Sequence, residues 1–241
     1  MVNGTIKGIV FDDEYTLMEP YPASDLMAEI RVRVIPLLVD NAPPGGLLPL
    51  AERVLRHITA ELEADTSQIS NQSNDLASSI KTVFDKEKIW VPEGLLEESL
   101  GLSDGKLAEY LYERKSLSQE ARRTLRDLRR KGFFLGLVAN SQFKRDWLKT
   151  IPLYNPDDDL FDTVILSCDV GFRKPDPRIF HAVYNSLKLN SHEVAYVTND
   201  LESVPLDIAE KIILTSEFRK PNHQPEAIPV IENISDLVGL M

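Results

Sequence analysis

The chain has 241 residues, 43% of them hydrophobic, and a formal net charge of −11 at pH 7. That is enough apolar material for a sizeable core, and too acidic a surface for nucleic-acid or anionic-membrane partners. Cys168 is the one cysteine, so an intrachain disulfide and a multi-cysteine metal site are both excluded.

The sequence opens into a short apolar run, residues 6–11, rich in β-branched side chains, which reads as a buried parallel strand. It ends in Asp12, Asp13 and Glu14. In an open α/β sheet, ligands bind beyond the carboxyl ends of the strands, so Asp12 and Glu14 are a candidate nucleophile and acid/base pair. An acidic turn after a strand is the plainer alternative for this stretch taken alone. No charged leader with an apolar signal segment is read before the strand, and no apolar run reaches the roughly 20 residues of a membrane span. The expected compartment is the cytoplasm, and the sequons at Asn3, Asn71 and Asn233 are read as chance.

From residue 24 to about 116 the apolar spacing is helical: Leu26, Ile30, Val34 and Leu38, then Leu50, Val54, Leu55 and Ile58, then Leu76, Ile80 and Val83. Breaks are expected at 41–46, which contains Pro43, Pro44, Gly45 and Gly46, and at Pro92, and the polar run 67–74 reads as a further loop or the end of a long helix. A further helix is expected over 107–112. No strand is expected in this insert.

Beyond Ser118 helices and strands alternate. Residues 119–130 form a basic amphipathic helix stopped at Gly132, whose Arg122, Arg123, Arg126, Arg129 and Arg130 are read as a solvated face. Strands are expected over 133–138, 163–166, 194–198, 211–214 and 228–231, with helices ending at Trp147 and covering 177–187 and 234–240. The alternation predicts a Rossmann-like, doubly wound, mostly parallel sheet. The core domain is expected over 1–17 plus 118–241, with an all-helical domain over 18–117.

Four stretches at predicted strand ends give this pattern a closer likeness: Asp12-Asp13-Glu14-Tyr15-Thr16-Leu17, Val138-Ala139-Asn140-Ser141, Gly171-Phe172-Arg173-Lys174-Pro175-Asp176-Pro177 and Tyr196-Val197-Thr198-Asn199-Asp200. In this order they resemble the four motifs of the haloacid dehalogenase-like (HAD) hydrolase superfamily. The third is the most specific match. The likeness covers residues 5–17 and 118–241 and matches the helical insert by position, as a cap domain. It implies Asp12 as nucleophile and Glu14 as acid/base, the latter similar to the enolase-phosphatase branch. Lys174 would neutralise the nucleophile and a phosphoryl oxygen together. It further implies phosphate contacts from Asn140 and Ser141, and Mg²⁺ held by Asp12, Glu14, Asp200 and Asn199, with Glu202 and Asp207 nearby.

Four positions depart from the family pattern: Tyr15 and Thr198 stand where Gly is usual, Ala139 where a hydroxyl is usual, and Val204 where a second acid is usual. The leading expectation is an Mg²⁺-dependent phosphatase acting on a small phosphate ester through an aspartyl-phosphate, as a monomer or homodimer. A catalytically impaired homologue with a binding or regulatory role stands beside it, as does, behind both, a metal-independent dehalogenase. Substrate choice is expected to reside in the insert, whose aromatic and basic residues include Tyr21, Arg31, Arg33 and Trp90. His57, His181, His192 and His223 lack ligand spacing, and Cys168 reads as a small buried thiol.

Overall fold

Six strands, β1 (Gly8–Phe11), β2 (Phe134–Ala139), β3 (Thr163–Leu166), β4 (Val194–Thr198), β5 (Lys211–Thr215) and β6 (Val230–Ile231), form one sheet in the order β3-β2-β1-β4-β5-β6. Every pairing is parallel. The computed structural model describes residues 5–19, 22–66, 75–112, 117–148, 151, 153–154 and 160–241. Tyr21, the sequons at Asn3 and Asn71 and the polar run 67–74 lie outside the described residues.

The expected strands are present, two of them with the predicted bounds. β6 is shorter than expected. Leu214 N donates to the carbonyl of Pro229, which has no N–H to return, so the ladder begins only at Val230. Strand order reverses at β1, which pairs with β2 on one side and β4 on the other. A crevice is expected at that reversal, and β1 leads directly into Asp12.

Between β1 and Ser118 the described residues hold five helices and no strand: α1 (Ala23–Val34), α2 (Leu47–Thr66), α3 (Leu76–Glu87), α4 (Leu95–Leu100) and α5 (Lys106–Tyr112), with a 3₁₀ turn at Ile35–Asn41. Leu26, Ile30, Val34, Leu38, Leu50, Val54, Ile58, Leu76, Ile80 and Val83 are all buried, as their spacing requires. The sequence did not announce α4. Six residues are too few for a periodic signal, and the helix is set off by Gly94 and Gly101, both left-handed with φ of 78° and 66°.

The remaining helices are α6 (Gln119–Arg130), α7 (Arg145–Leu148), α8 (Ser167–Val170), α9 (Pro177–Leu187) and α10 (Leu237–Leu240). Ser118 caps α6 by accepting from Ala121 N at 3.0 Å. Arg123, Arg126 and Arg130 are exposed and Arg129 pairs with Asp162 at 3.0 Å, so this is the expected solvated face.

Two apolar clusters follow from strand alternation. Val10, Val138, Val194, Tyr196 and Ile212 pack under α9 on one face. Ile9, Phe11, Leu135, Leu137, Ala195 and Val197 belong to the other cluster, which runs without a break into the buried residues of α1 to α5. A Cβ on Gly136 would stand 2.7 Å from Val183 Cγ2, so the bare backbone lets α9 close on β2.

Candidate active site

Asp12 is the first residue past β1 and is buried, with its N–H on the carbonyl of Val197 at 2.9 Å. Lys174 Nζ, itself buried, pairs with Asp12 Oδ1 and lies 3.5 Å from the carbonyl oxygen of Val138. The hydroxyl of Thr198 lies 3.1 Å from Asp12 Oδ2 and 3.3 Å from the carbonyl oxygen of Asp200, and it accepts from Asp200 N at 3.0 Å. Asp13 N donates to Asp12 Oδ1 at 2.9 Å. Both carboxylate oxygens are therefore held by fixed partners, drawn from the ends of β1 and β4 and from the loop between α8 and α9.

Lys174 is aimed by its own loop. Gly171 ends α8 in the left-handed conformation, φ 77°, and Asp176 caps α9 by accepting from Arg178 N at 2.9 Å. Arg178 Nη2 returns to Asp176 Oδ2 at 2.6 Å, and its guanidinium lies 3.8 Å from the Phe172 ring centre. The Asn140 side chain then locks the main chain of Lys174: Oδ1 accepts from Lys174 N at 2.8 Å and Nδ2 donates to Lys174 O at 3.2 Å. The Lys174–Pro175 peptide is cis.

The loop after Asp12 is tight. The carbonyl of Asp13 takes N–H donors from Thr16, Leu17 and Met18, at 3.3, 2.9 and 3.2 Å, and Tyr15 N donates to Met18 O at 2.7 Å. Tyr15 has φ 54°, a conformation that favours Gly. A side chain there is strained by about 1 kcal/mol. The guanidinium of Arg219, 3.9 Å from the Tyr15 ring centre, supplies a compensating cation–π contact. Glu14, two residues past Asp12, is exposed on the solvent side of this turn.

Three further residues here went unread in the sequence. Asp13 is buried and its Oδ2 accepts from the buried Tyr154 hydroxyl at 2.8 Å. Burial first, then the charge of Asp12, raises its carboxyl well above the ordinary carboxylate range. Burial and the nearby Asp12 charge likewise push the phenol of Tyr196 upward, and its hydroxyl has no partner among the described residues. Tyr154 lies in a loop without motif or period, so spacing carried no signal for it. Thr198, read as a mere departure from Gly, is a direct partner of the nucleophile candidate.

The residues expected to bind phosphate are committed elsewhere. Asn140 spends its side chain on Lys174. Ser141 Oγ is buried, accepts from Phe143 N at 2.9 Å and lies 2.9 Å from Phe143 O, while Ser141 N donates to Ser167 Oγ at 2.9 Å. Ala139 is fully buried and offers no hydroxyl.

Of the expected metal ligands, Asn199 turns away: Nδ2 donates to Thr215 O and Arg219 O at 2.8 and 2.6 Å, and Oδ1 accepts from Arg219 Nε at 3.0 Å. Asp200 Oδ1 caps a short 3₁₀ turn by accepting from Glu202 N at 3.0 Å. Glu202 and Asp207 are exposed, and Val204 is buried in the apolar cluster under α9. Among the described residues no three His, Cys, Asp or Glu side chains gather as a metal cage. Asp12 and Asp200, joined through Thr198, still offer hard carboxylate oxygens on adjacent strand ends. Two carboxylates completed by substrate phosphate and water are the usual Mg²⁺ donor set, so the residues present fit that ion without a third acid.

His57 pairs with Glu87 at 2.7 Å on the insert, and His181, His192 and His223 are exposed. Cys168 is half-buried with its Sγ 2.9 Å from Phe143 O. In the insert, Arg33 pairs with Glu29 at 3.0 Å, Arg31 is exposed, and Trp90 is 74% exposed beside a cavity lined by α3 and α4. No described helix is long and apolar enough to cross a membrane.

Comparison with known proteins agrees with this geometry. The chain is 29% identical over 175 residues to a glyceraldehyde 3-phosphate phosphatase of Methanothermobacter thermautotrophicus, covering 73% of this chain and 69% of that one. It is 28% identical over 220 residues to the protein of the same name from Methanopyrus kandleri, covering 91% and 86%. A 2-haloacid dehalogenase of Pseudomonas syringae superposes with a TM-score of 0.65 at 18% identity, over 98% of both chains. A HAD phosphatase of Thermococcus onnurineus superposes with a TM-score of 0.60 at 20% identity, over 98% and 97%. Residues 6–202 match the family profile described as haloacid dehalogenase-like hydrolase, and the chain belongs to that family.

Proposed function

We propose that this hydrolase is a phosphatase of small phosphate esters, with Asp12 as its nucleophile. The observation that carries the reading is the buried Asp12–Lys174 pair, steadied by Thr198, at the point where strand order reverses. The names of the two archaeal relatives support a small phosphorylated substrate.

Asp12 would attack phosphorus in line to form an aspartyl-phosphate, which water then cleaves. Lys174 holds the attacking carboxylate in place, and lies where charge builds on a phosphoryl oxygen. Glu14, on the solvent side of the loop, protonates the leaving alcohol and then takes a proton from the attacking water. Asp12 and Asp200, with the Glu14 carbonyl, would hold Mg²⁺. When bound, the ion shields the carboxylate from the charge of the phosphate. With Asn140 and Ser141 committed to the scaffold, phosphate binding falls on Lys174 and the main chain. We assign residues 18–117 as a cap that screens what reaches Asp12. The protein would work in the cytoplasm as a monomer or homodimer.

Phosphate release from a panel of esters, with and without a chelator, tests the reading: Mg²⁺-dependent turnover is expected, and no release from any ester would overturn it. A second reading, a family member kept for binding, draws on Thr198 and Val204, which crowd one oxygen of Asp12 and remove an acid. Tight binding of an ester without turnover would favour it. Metal-independent dehalogenation is disfavoured by Glu14, and halide release unaffected by chelator would restore it.

A further inference from the structure

Arg219 stands on the loop after β5, outside all four motifs. Its Nε donates to Asn199 Oδ1 at 3.0 Å, and Asn199 Nδ2 grips the carbonyl of the same arginine at 2.6 Å and that of Thr215 at 2.8 Å. Its guanidinium carbon lies 3.9 Å from the centre of the Tyr15 ring. Tyr15 adopts a left-handed backbone at φ 54° in the turn that carries Asp12 and Glu14. Two residues that bear on the site, Tyr15 in place of a usual Gly and Asn199 in place of a metal contact, are thus both spent on holding one cation.

The cation is not consumed. Arg219 is exposed, and among the described residues its two terminal nitrogens have no acceptor. Stacking and the Nε bond fix the plane of the guanidinium, which leaves a preorganised fork of N–H donors suited to a carboxylate or phosphate. Two residues lie between Asp12 and Tyr15, so their Cα atoms are no more than about 11 Å apart. That span fits a small acid sugar phosphate.

We propose that Arg219 is a specificity-determining residue that binds a second anionic group, carboxylate or phosphate, of the ester held at Asp12. This rests on the phosphatase reading given above. Tyr15 and Asn199 are the positioning residues for that fork. Glu14, on the same turn, opposes the anion, so the preference belongs to a ligand that reaches the guanidinium directly.

The test compares 3-phosphoglycerate and 2-phosphoglycolate, a sugar bisphosphate, and glycerol phosphate, which has no second anionic group, as substrates. Arg219→Ala should lower kcat/KM for the acid-bearing esters about 10- to 100-fold, mainly through KM, and alter glycerol phosphate less than about 3-fold. Arg219→Lys, which keeps the charge but not the flat fork, should fall between. The carboxylate and bisphosphate arms show which anion is taken. An equal loss on every ester would make Arg219 a mere support of the loop, and no loss on either the acid-bearing esters or the bisphosphate would refute the proposal outright. Calorimetric titration of Asp12→Asn protein with the same esters, with and without Arg219→Ala, separates the two readings. Turnover that ignores Arg219 sinks the fork alone. Absence of turnover with Arg219-dependent binding sinks the phosphatase alone.

Discussion

At Asp12 two demands meet: the carboxylate must be buried to exclude water, and it must stay charged to attack. Lys174 reconciles them, since a buried charge is tolerable only beside a partner. Lys174→Met should therefore lower turnover about 10²- to 10³-fold. It should also cost about 3–5 kcal/mol of stability by stranding Asp12 next to Asp13, which urea unfolding would measure. Cys168 is the opposite case: burial, with the Asp169 charge beside it, pushes its thiol up to about 12. Its alkylation at pH 8 should be slow in the native protein and fast in urea; rapid native labelling would contradict that burial. The pairing of residues 12 and 174 was legible because each sits in a motif with a fixed relation to a strand end. The side-chain partners of Asn140, Ser141 and Asn199 were not legible, for the complementary reason. A polar side chain at a strand end has several backbone groups within reach, and sequence does not say which one it takes. The Tyr15 departure became intelligible only with Arg219, more than two hundred residues away in the chain.

Elements were more legible than side chains, because period and stop signals are local. α3 illustrates both. Its apolar spacing predicted the helix, while its start depends on Asp75, which accepts from Ser78 N at 3.0 Å and pairs with Lys144 at 3.1 Å, between the insert and the β2–α7 loop. Burial alone would raise the Asp75 carboxyl, but the Ser78 and Lys144 hydrogen bonds outweigh it and hold it below its usual value. A depressed acid stabilises the fold above its unfolded value of about 3.9, and the contribution fades as pH falls below that. Asp75→Ala should thus lose about 1 kcal/mol at pH 7, with the gap to the parent shrinking below about pH 4. A gap independent of pH would show that the cap is not ionic. α4 escaped detection because two left-handed glycines, not a period, define it.

For the whole molecule, the continuous apolar cluster from the sheet into α1 to α5 links the insert to the core. Trp90 reports on the insert and the buried Trp147 on the core, so Trp90→Phe and Trp147→Phe proteins should each unfold in one transition at coincident midpoints. Two separated transitions would mean that the units fold apart. The most direct measurement of the central claim is acid quench of the enzyme during turnover of a phosphate ester, followed by mass spectrometry of the peptide containing residue 12. An acyl phosphate on Asp12 is expected, and none in Asp12→Asn protein. Turnover with an unmodified Asp12 peptide, or undiminished in the Asp12→Asn variant, would contradict it.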